Sequence, residues 1–153
     1  MSIGLRYASG QDEAIEIVND AFMKVFDSLD RFDPKQEFKA WFRQIVVYTA
    51  IDQYRKEQKH RHDDLEDYLY VSVQVEATIF DQFNAEDIMQ CVQQLPPSYR
   101  TVFVMYVVEG FKHHEIASLL KISEGTSKSH LSAARDRLKK MLVQSSNNLK
   151  RHG

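Results

Sequence analysis

The sequence predicts an all-α protein of two small helical domains joined by a polar linker, the second a helix-turn-helix domain. Apolar residues recur at three- and four-residue steps, whereas the alternation typical of strands is hard to find. The 153 residues include only five Gly and three Pro, which leaves long stretches free to be helical. These patterns place the first domain at 1–60, the linker at 61–84, the second domain at 85–145 and a disordered tail at 146–153.

Two long amphipathic helices are predicted in the first domain. The first covers residues 12–29 and ends before Pro34, because proline lacks the amide donor that a helix needs and restricts the residue before it. The second runs from about residue 36 to 59. The residues expected to face the core are Ile15, Val18, Phe22, Val25, Phe26 and Leu29 in the first helix, and Phe38, Trp41, Phe42, Ile45, Tyr48 and Thr49 in the second.

The second domain is predicted to begin near Asn84, which has the side chain of a helix N-cap and Asp87 three residues further on. That helix ends at Pro96-Pro97, and Ser98 is expected to cap the next one, which ends near Gly110. The single cysteine, Cys91, falls on the apolar positions of the first of these helices. We therefore expect a buried small hydrophobe rather than a nucleophile.

Residues 113–138, HHEIASLLKISEGTSKSHLSAARDRL, carry the most informative pattern. Their apolar positions fit two helices that meet at a sharp angle, with small Ala117 where the helices approach and Ile122 in the corner. Ser123 can cap the second helix, which is predicted to run to about Val143. The pattern is typical of a helix-turn-helix, whose second helix enters the major groove of DNA.

The second helix of this motif has side chains suited to DNA. Lys128 can bond to guanine acceptors, and hydroxyl groups and exposed helix amides can bind phosphates. The alternative is an ordinary helical hairpin with a solvated basic face. The candidate contacts are Ser123, Thr126, Lys128, Ser129, His130, Ser132 and Arg135.

Charge is distributed unevenly along a chain whose net charge is only −2. Residues 12–33 carry seven acids against two bases, a net of −5. Residues 35–61 carry seven bases against three acids, a net of +4, and residues 121–153 carry eight bases against two acids, a net of +6. The pattern indicates two surfaces for phosphate and an acidic surface for a protein partner.

The compartment is indicated by what the sequence lacks. A lone cysteine excludes an internal disulfide and fits a reducing environment. There is no stretch of 18 apolar residues and no apolar N-terminal run, so neither a transmembrane helix nor a signal peptide is expected. We therefore expect a cytoplasmic protein without membrane insertion.

With both halves read, the chain resembles the extracytoplasmic-function (ECF) RNA polymerase sigma factors of the sigma-70 family. The stretch from LPPSYRTVF through EGFKHHEIASLL and SEGTSKSH is similar to the family's region 4. DEAIEIVNDAFMKVFDSLDRFD is similar to region 2.2, and FKAWFRQIVVYTAIDQYRK to regions 2.3 and 2.4, with Trp41, Ala50, Asp52 and Arg55 at motif positions. The resemblance covers most of the chain.

The resemblance implies a transcription initiation subunit rather than an enzyme, with no cofactor, no metal and no catalytic residue. Its implied partners are core RNA polymerase, promoter DNA and an anti-sigma factor. Region 2.2 would bind polymerase through the exposed side of its helix, with Phe22 and Phe26 in the core. The implied polymerase contacts are Asp20, Lys24, Asp27 and Asp30.

Promoter contacts follow from the same resemblance. Regions 2.3 and 2.4 would bind the −10 element through the loop 32–38 and through Lys35, Lys39, Arg43, Gln44, Asp52, Tyr54, Arg55 and Lys56. Region 4 would bind the −35 element as duplex, with Tyr99 and Arg100 near phosphate. Two roles stay open: Trp41 either packs in the core or stacks on a base, and Asp52 either contacts DNA or only orients Arg55 or caps a helix.

Three departures from the family pattern are visible. Region 2 is expected to have a truncated N-terminus, because the family has a fuller helix before RYASG. Ser127 stands where the family usually has a core valine, and Ala133 where it often has an arginine that faces DNA. The last departure makes the promoter sequence hard to infer.

Other classes of protein fit less well. A metal site at His60, His62, Asp63 and Asp64 would lie in a polar linker, and the HExxH pattern fails because Ser118 stands where its second histidine belongs. A helix-turn-helix regulator that acts without polymerase, such as a response-regulator effector, would need a receiver domain of alternating strands and helices, whereas residues 12–59 show only helices. A protein-binding adaptor conflicts with the basic balance of residues 121–153.

Overall fold

A computed structural model describes residues 3–60 and 83–151, with side chains at 3–59 and 83–144. Within these ranges the ordered backbone is helical and contains no strand, which confirms the all-α prediction. The chain divides into two compact units, unit 1 at residues 1–64 and unit 2 at 65–153. The predicted linker at 61–84 lies almost wholly outside the described residues, and the predicted domain limits stay predictions.

Unit 1 consists of α1 (Ile3–Tyr7), α2 (Gln11–Ser28), a single 3-10 turn (Leu29–Arg31) and α3 (Phe38–His60). The start of α2 is fixed by Glu13, whose carboxylate accepts hydrogen bonds from the Ser9 amide and hydroxyl, both at 2.6 Å. Pro34 lies in the turn before α3. There the Lys35 amide donates to Asp33 Oδ1 at 2.9 Å, a local bond that replaces helical ones.

The buried face of α2 differs from the predicted one except at Val25, which is buried as predicted, and at Val18, which is half-buried. Its buried residues are Ala14, Ile17, Ala21 and Val25, whereas the side chains of Phe22 and Phe26 are 46% and 67% exposed. The prediction that Phe22 and Phe26 are core residues is therefore wrong, as it is for Ile15 and Leu29, which are also exposed. Alanine on the inner face lets α2 pack closely on its neighbours, so the largest apolar side chains are not the buried ones.

In α3 the predicted face is likewise only partly buried. The core residues are Val46, Val47, Thr49, Ala50 and Ile51, which lie in the third and fourth turns. Phe38 and Tyr48 are exposed, and Trp41, Phe42 and Ile45 are half-buried. The first turns of α3 therefore present aromatic side chains at the surface of unit 1.

Unit 2 consists of α4 (Ala85–Gln93), α5 (Pro97–Phe103), a π-helical turn (Val104–Val108), α6 (His113–Leu120) and α7 (Glu124–Arg151). Asn84 caps α4 as predicted, since its Oδ1 accepts from the Asp87 amide at 2.8 Å. Cys91 is buried as predicted, and burial and nearby Asp87 raise the pKa of its thiol. Ser98 is not a cap: α5 begins at Pro97, which has no amide hydrogen to satisfy at that position.

α7 extends further than predicted. The helix continues to Arg151, whereas the sequence predicts its end near Val143. The backbone of residues 146–151, where we expect a disordered tail, is therefore helical. No proline or glycine follows Gly125 before residue 152, and helix propagation adds one hydrogen bond per residue. Residues 152–153 lie outside the described part. α7 packs on the rest of unit 2 through Leu131, Ala134, Leu138 and Leu142.

Candidate nucleic-acid interface

Residues 113–138 form the predicted tight corner between two helices. α6 ends at Leu120, Lys121 adopts the left-handed conformation with φ of 57°, and the Ile122 amide donates to the Ala117 carbonyl at 3.1 Å. Ile116 and Leu120 are buried on one side of the corner, and Leu131 on the other. The corner thus fixes the start of α7 relative to α6 by packing and by one backbone bond.

The start of α7 is capped and polar. Ser123 Oγ accepts from the Thr126 amide at 2.9 Å, which confirms the predicted cap, and lies 2.9 Å from the Thr126 hydroxyl. The Ser129 hydroxyl donates to the Thr126 carbonyl at 3.0 Å. Lys128 is exposed, while Ser129 and Ser132 are partly exposed. Lys128 is therefore the candidate whose charge is presented to solvent at this end of the helix.

Ser127 has a polar partner although its side chain lies in the core of unit 2. It is fully buried, and its Oγ lies 2.9 Å from Nδ1 of His113, the first residue of α6. The His113 ring also stacks on Tyr106, with centroids 4.5 Å apart and planes 23° apart. Burial lowers the pKa of His113, nearby Lys128 lowers it further, Glu124 opposes this, and Arg135 adds to the lowering.

Tyr99 and Arg100 are buried rather than turned to solvent, which corrects the expectation that they lie near phosphate. Arg100 is 3% exposed, and its Nη1 donates to the carbonyls of Gln93 at 2.9 Å and Leu95 at 3.3 Å. Arg100 therefore binds the end of α4, where helix carbonyls lack partners. Because Arg100 lies in the first turn of α5, the sequence alone makes it look like a phosphate ligand.

The Tyr99 ring is one layer of a small stack. Arg137 lies over it, with Cζ 5.3 Å from the ring centroid, and the His130 ring packs against it at 5.2 Å. Burial lowers the pKa of His130. His130, an expected DNA contact, is thus only partly exposed and contributes to packing between α5 and α7.

On unit 1, the candidates for the −10 element divide into exposed and half-buried residues. Asp52 Oδ2 lies 3.0 Å from Lys24 Nζ, which joins α3 to α2, and its Oδ1 lies 3.9 Å from Arg55 Nη1. Burial raises the pKa of Tyr54 to about 12. The exposed candidates are Lys35, Lys39, Arg43, Gln44 and Lys56.

An aromatic cluster lies beside these polar and basic side chains, between the 32–38 loop and the start of α3. The Trp41 ring contacts Phe32 at 4.8 Å and Phe38 at 5.7 Å, and Phe38 stacks on Phe42 at 6.1 Å. Trp41 is half-buried in this cluster, so its ring packs and keeps one part at the surface. Phe42 in turn contacts Phe22 of α2 at 5.1 Å.

A groove of about 520 Å³ opens on the same unit, next to the Phe22–Phe42 pair. Its lining is apolar, with three cationic side chains among the residues that line it. Those residues are Ile3, Arg6, Val18, Phe22, Lys39, Phe42, Arg43 and Val46.

The outer face of α2 carries the acidic candidates for a protein partner together with apolar side chains that sequence reasoning missed. Asp20, Asp27 and Asp30 are exposed, and Lys24 is held by Asp52. Met23 is 63% exposed, and Phe22 and Phe26 are exposed beside it. The small residues Ala14 and Ala21 were the signal that could have identified the inner face of the helix.

Comparisons with known proteins agree on one family. The sigma-70 region 2 family matches residues 1–60, and the sigma-70 region 4 family matches residues 85–138. The chain is 31% identical over 142 residues to the RNA polymerase sigma factor SigV of Bacillus subtilis, covering 93% of this chain and 81% of that protein. The chain belongs to the ECF RNA polymerase sigma factors.

Two further relatives support the assignment of this sigma factor to that family. It is 28% identical over 145 residues to the ECF RNA polymerase sigma factor SigW of Bacillus subtilis, covering 85% of this chain and 75% of that protein. The sigma factor RpoE of Bartonella quintana, solved in complex with the anti-sigma factor NepR, superposes with a TM-score of 0.53 at 25% identity. That match covers 91% of this chain and 86% of RpoE.

Sigma factors are a non-catalytic family of transcription initiation factors. In the parts of the sigma factor that the structure describes, no three His, Cys, Asp or Glu side chains are grouped as a metal site would need. Of the candidate metal ligands considered from the sequence, His62, Asp63 and Asp64 lie outside those parts. None of the helices searched there has the length and apolar character needed to cross a bilayer.

Proposed function

We propose that the sigma factor directs core RNA polymerase to promoters by binding the −35 element as duplex through α7 and the −10 element through unit 1. The observation that carries this proposal is the helix-turn-helix corner, which presents Lys128 and the capped start of α7 together. An exposed cation at the N-terminal end of a helix suits base acceptors and phosphates in the major groove. The contacts we propose are Ser123, Thr126, Lys128, Ser129, Ser132 and Arg135, with His130 at the edge.

For the −10 element, the support is the proximity of cations and aromatic rings on unit 1. Lys35 and Lys39 are exposed next to a surface that includes the rings of Phe38 and Trp41. Single-stranded DNA is bound by such combinations, because bases stack on aromatic faces and phosphates attract cations. We propose that Trp41 stacks on an unpaired base with the part of its ring that reaches the surface.

For core polymerase, we propose that the outer face of α2 is the contact. Phe22, Met23 and Phe26 form an exposed apolar stripe that is flanked by Asp20 and Asp27. Apolar side chains at the centre of an interface supply affinity, while charges around them set orientation and partner choice. The polymerase surface bound by α2 is expected to be basic at its rim.

An anti-sigma factor is a further proposed partner, supported by the structural similarity to RpoE, which was solved with the anti-sigma factor NepR. We propose that the sigma factor works in the cytoplasm, where polymerase and promoters are found, and that it has no catalytic activity of its own. A helix-turn-helix regulator that acts without polymerase is not favoured, since region 2 accompanies region 4 in this chain.

Run-off transcription with core polymerase and a promoter library tests the proposal. The sigma factor is expected to bind core and to select templates that share two conserved elements at a fixed spacing. A chain that binds selected duplexes alone but never adds promoter-specific initiation to core would instead be a regulator outside polymerase.

Lys128→Ala is expected to weaken holoenzyme binding to a selected promoter about tenfold, because it removes an exposed cation from the proposed major-groove contact. Core binding should be unchanged. The matched control is Lys140→Ala, which removes an exposed lysine further along the same helix. Electrophoretic mobility shift with promoter DNA and a separate core-binding assay measure both; equal losses in the two assays would contradict the assignment of Lys128.

A further inference from the structure

We propose that His113 contacts a phosphate of the −35 duplex through Nε2, and that the buried Ser127 hydroxyl orients its imidazole for this contact. The inference rests on the proposed binding of DNA by α7. It adds a residue of α6 to the interface and gives a role to the buried hydroxyl of Ser127.

The geometry holds His113 on two sides. Ser127 Oγ lies 2.9 Å from Nδ1, and the Tyr106 ring stacks on one face at 4.5 Å between centroids. Ser127 is fully buried and comes from the first turn of α7, the element proposed to enter the groove. The ring is thus fixed directly to the DNA-binding helix, while Nε2, across the ring from Nδ1, is the nitrogen that would meet a phosphate.

The Ser127 hydroxyl can serve both protonation states of the imidazole. It donates to Nδ1 when the ring is neutral, which places the hydrogen on Nε2, and accepts from Nδ1–H when the ring is charged. In either state Nε2–H is a donor. A valine would leave Nδ1 without this partner and the ring free to adopt the other tautomer.

The surrounding charges explain why an anion suits this position. Burial lowers the pKa of His113 most. From α7, Lys128 lowers it further, Glu124 raises it and Arg135 lowers it. The free sigma factor therefore holds the ring neutral more firmly than an exposed histidine would be held. A phosphate that reached Lys128 and Nε2 together would raise the pKa of His113, so binding takes up protons.

The sign of the pH dependence follows from that linkage. Affinity for DNA should rise as pH falls from about pH 8 towards about pH 5.5, because the DNA-bound state has the higher His113 pKa. His130 in unit 2, whose pKa is also lowered by burial, contributes to the same profile. The contribution of His113 is therefore the difference between the wild-type profile and that of a variant at this position.

The test uses holoenzyme and a promoter selected from the library. His113→Phe keeps a ring against Tyr106 and removes both nitrogens. It is expected to weaken binding roughly tenfold, as loss of a hydrogen bond to a charged group does, and to flatten the pH profile. His113→Gln, which keeps an amide donor, should lose less affinity and should also flatten the profile.

Ser127→Ala separates orientation from folding. It should weaken DNA binding several-fold in the wild-type background but leave binding unchanged in the His113→Phe background, as coupled residues do in a double-mutant cycle. A purely structural hydroxyl would reduce thermal stability equally in both backgrounds. His114→Phe, at the exposed neighbouring position, is the control.

Three results would overturn the proposal. One is a His113→Phe holoenzyme with wild-type affinity and pH profile; the second is an affinity loss that follows thermal stability alone. In both cases a continuing effect of Lys128→Ala would leave the proposed −35 function standing. The third, wild-type holoenzyme that shows no selected −35 element, would remove both proposals together.

Discussion

Phe26→Ala is expected to weaken binding to core polymerase by about 2 kcal/mol, or roughly thirtyfold, while leaving the fold of unit 1 intact. Phe26 is 67% exposed on α2, so little packing is lost in the free protein. An aromatic ring at the centre of an interface is among the side chains whose truncation costs most. Fluorescence titration of labelled core with wild-type and variant sigma factor measures the change.

The control for Phe26 is Val107→Ala, another exposed apolar residue, which lies in the π-helical turn of unit 2. It should bind core as the wild type does. Phe22→Ala should behave as Phe26→Ala, though its ring contact with Phe42 makes some loss of stability expected as well. Wild-type affinity in the Phe26 variant would show that polymerase binds another face of unit 1.

Arg100→Ala is expected to destabilise unit 2 by about 3 kcal/mol, since it leaves two carbonyls of the α4 end unpaired and opens a cavity. For a unit of this size the melting temperature should fall by roughly 15 °C. Hydrogen exchange of peptides from residues 85–138 reports this stability separately from unit 1.

The matched variant is Arg135→Ala, which removes a partly exposed arginine from the proposed DNA face of α7. It should keep the stability of unit 2 and lose affinity for promoter DNA. The slope of log affinity against log salt concentration should become shallower by about the contribution of one phosphate contact. Should Arg100→Ala instead keep its stability and lower the salt dependence, the arginine contacts phosphate and its burial in unit 2 is not maintained on DNA.

The exposed phenylalanines of unit 1 show where hydrophobic periodicity misleads a prediction of the core. Phe22, Phe26 and Phe38 fit an amphipathic stripe, and large apolar side chains are the usual core residues. The structure buries Ala14, Ala21 and Ala50 instead, and leaves those rings exposed to solvent. A protein that binds polymerase and DNA keeps apolar surface for its partners, and a hydrophobic pattern does not distinguish that surface from the core.

The corner of unit 2 shows the opposite case, because its signals are local. Asn84 and Ser123 cap the helices they were expected to cap, and the turn at 121–123 forms as predicted. Each of these features depends on residues within four positions of one another. These two caps and this turn could therefore be predicted from a single sequence, whereas the predicted cap at Ser98 is wrong because α5 begins at Pro97.

The sequence by itself determined the helical class, the helix-turn-helix corner and, through its motifs, the family. Tertiary structure alone decided that Arg100 turns inward to the end of α4, that α2 buries its alanines, and that His113 meets Ser127. Helix formation and capping are set by neighbours along the chain, whereas burial depends on which faces pack together. Residues fourteen positions apart, such as His113 and Ser127, meet only after the corner has closed.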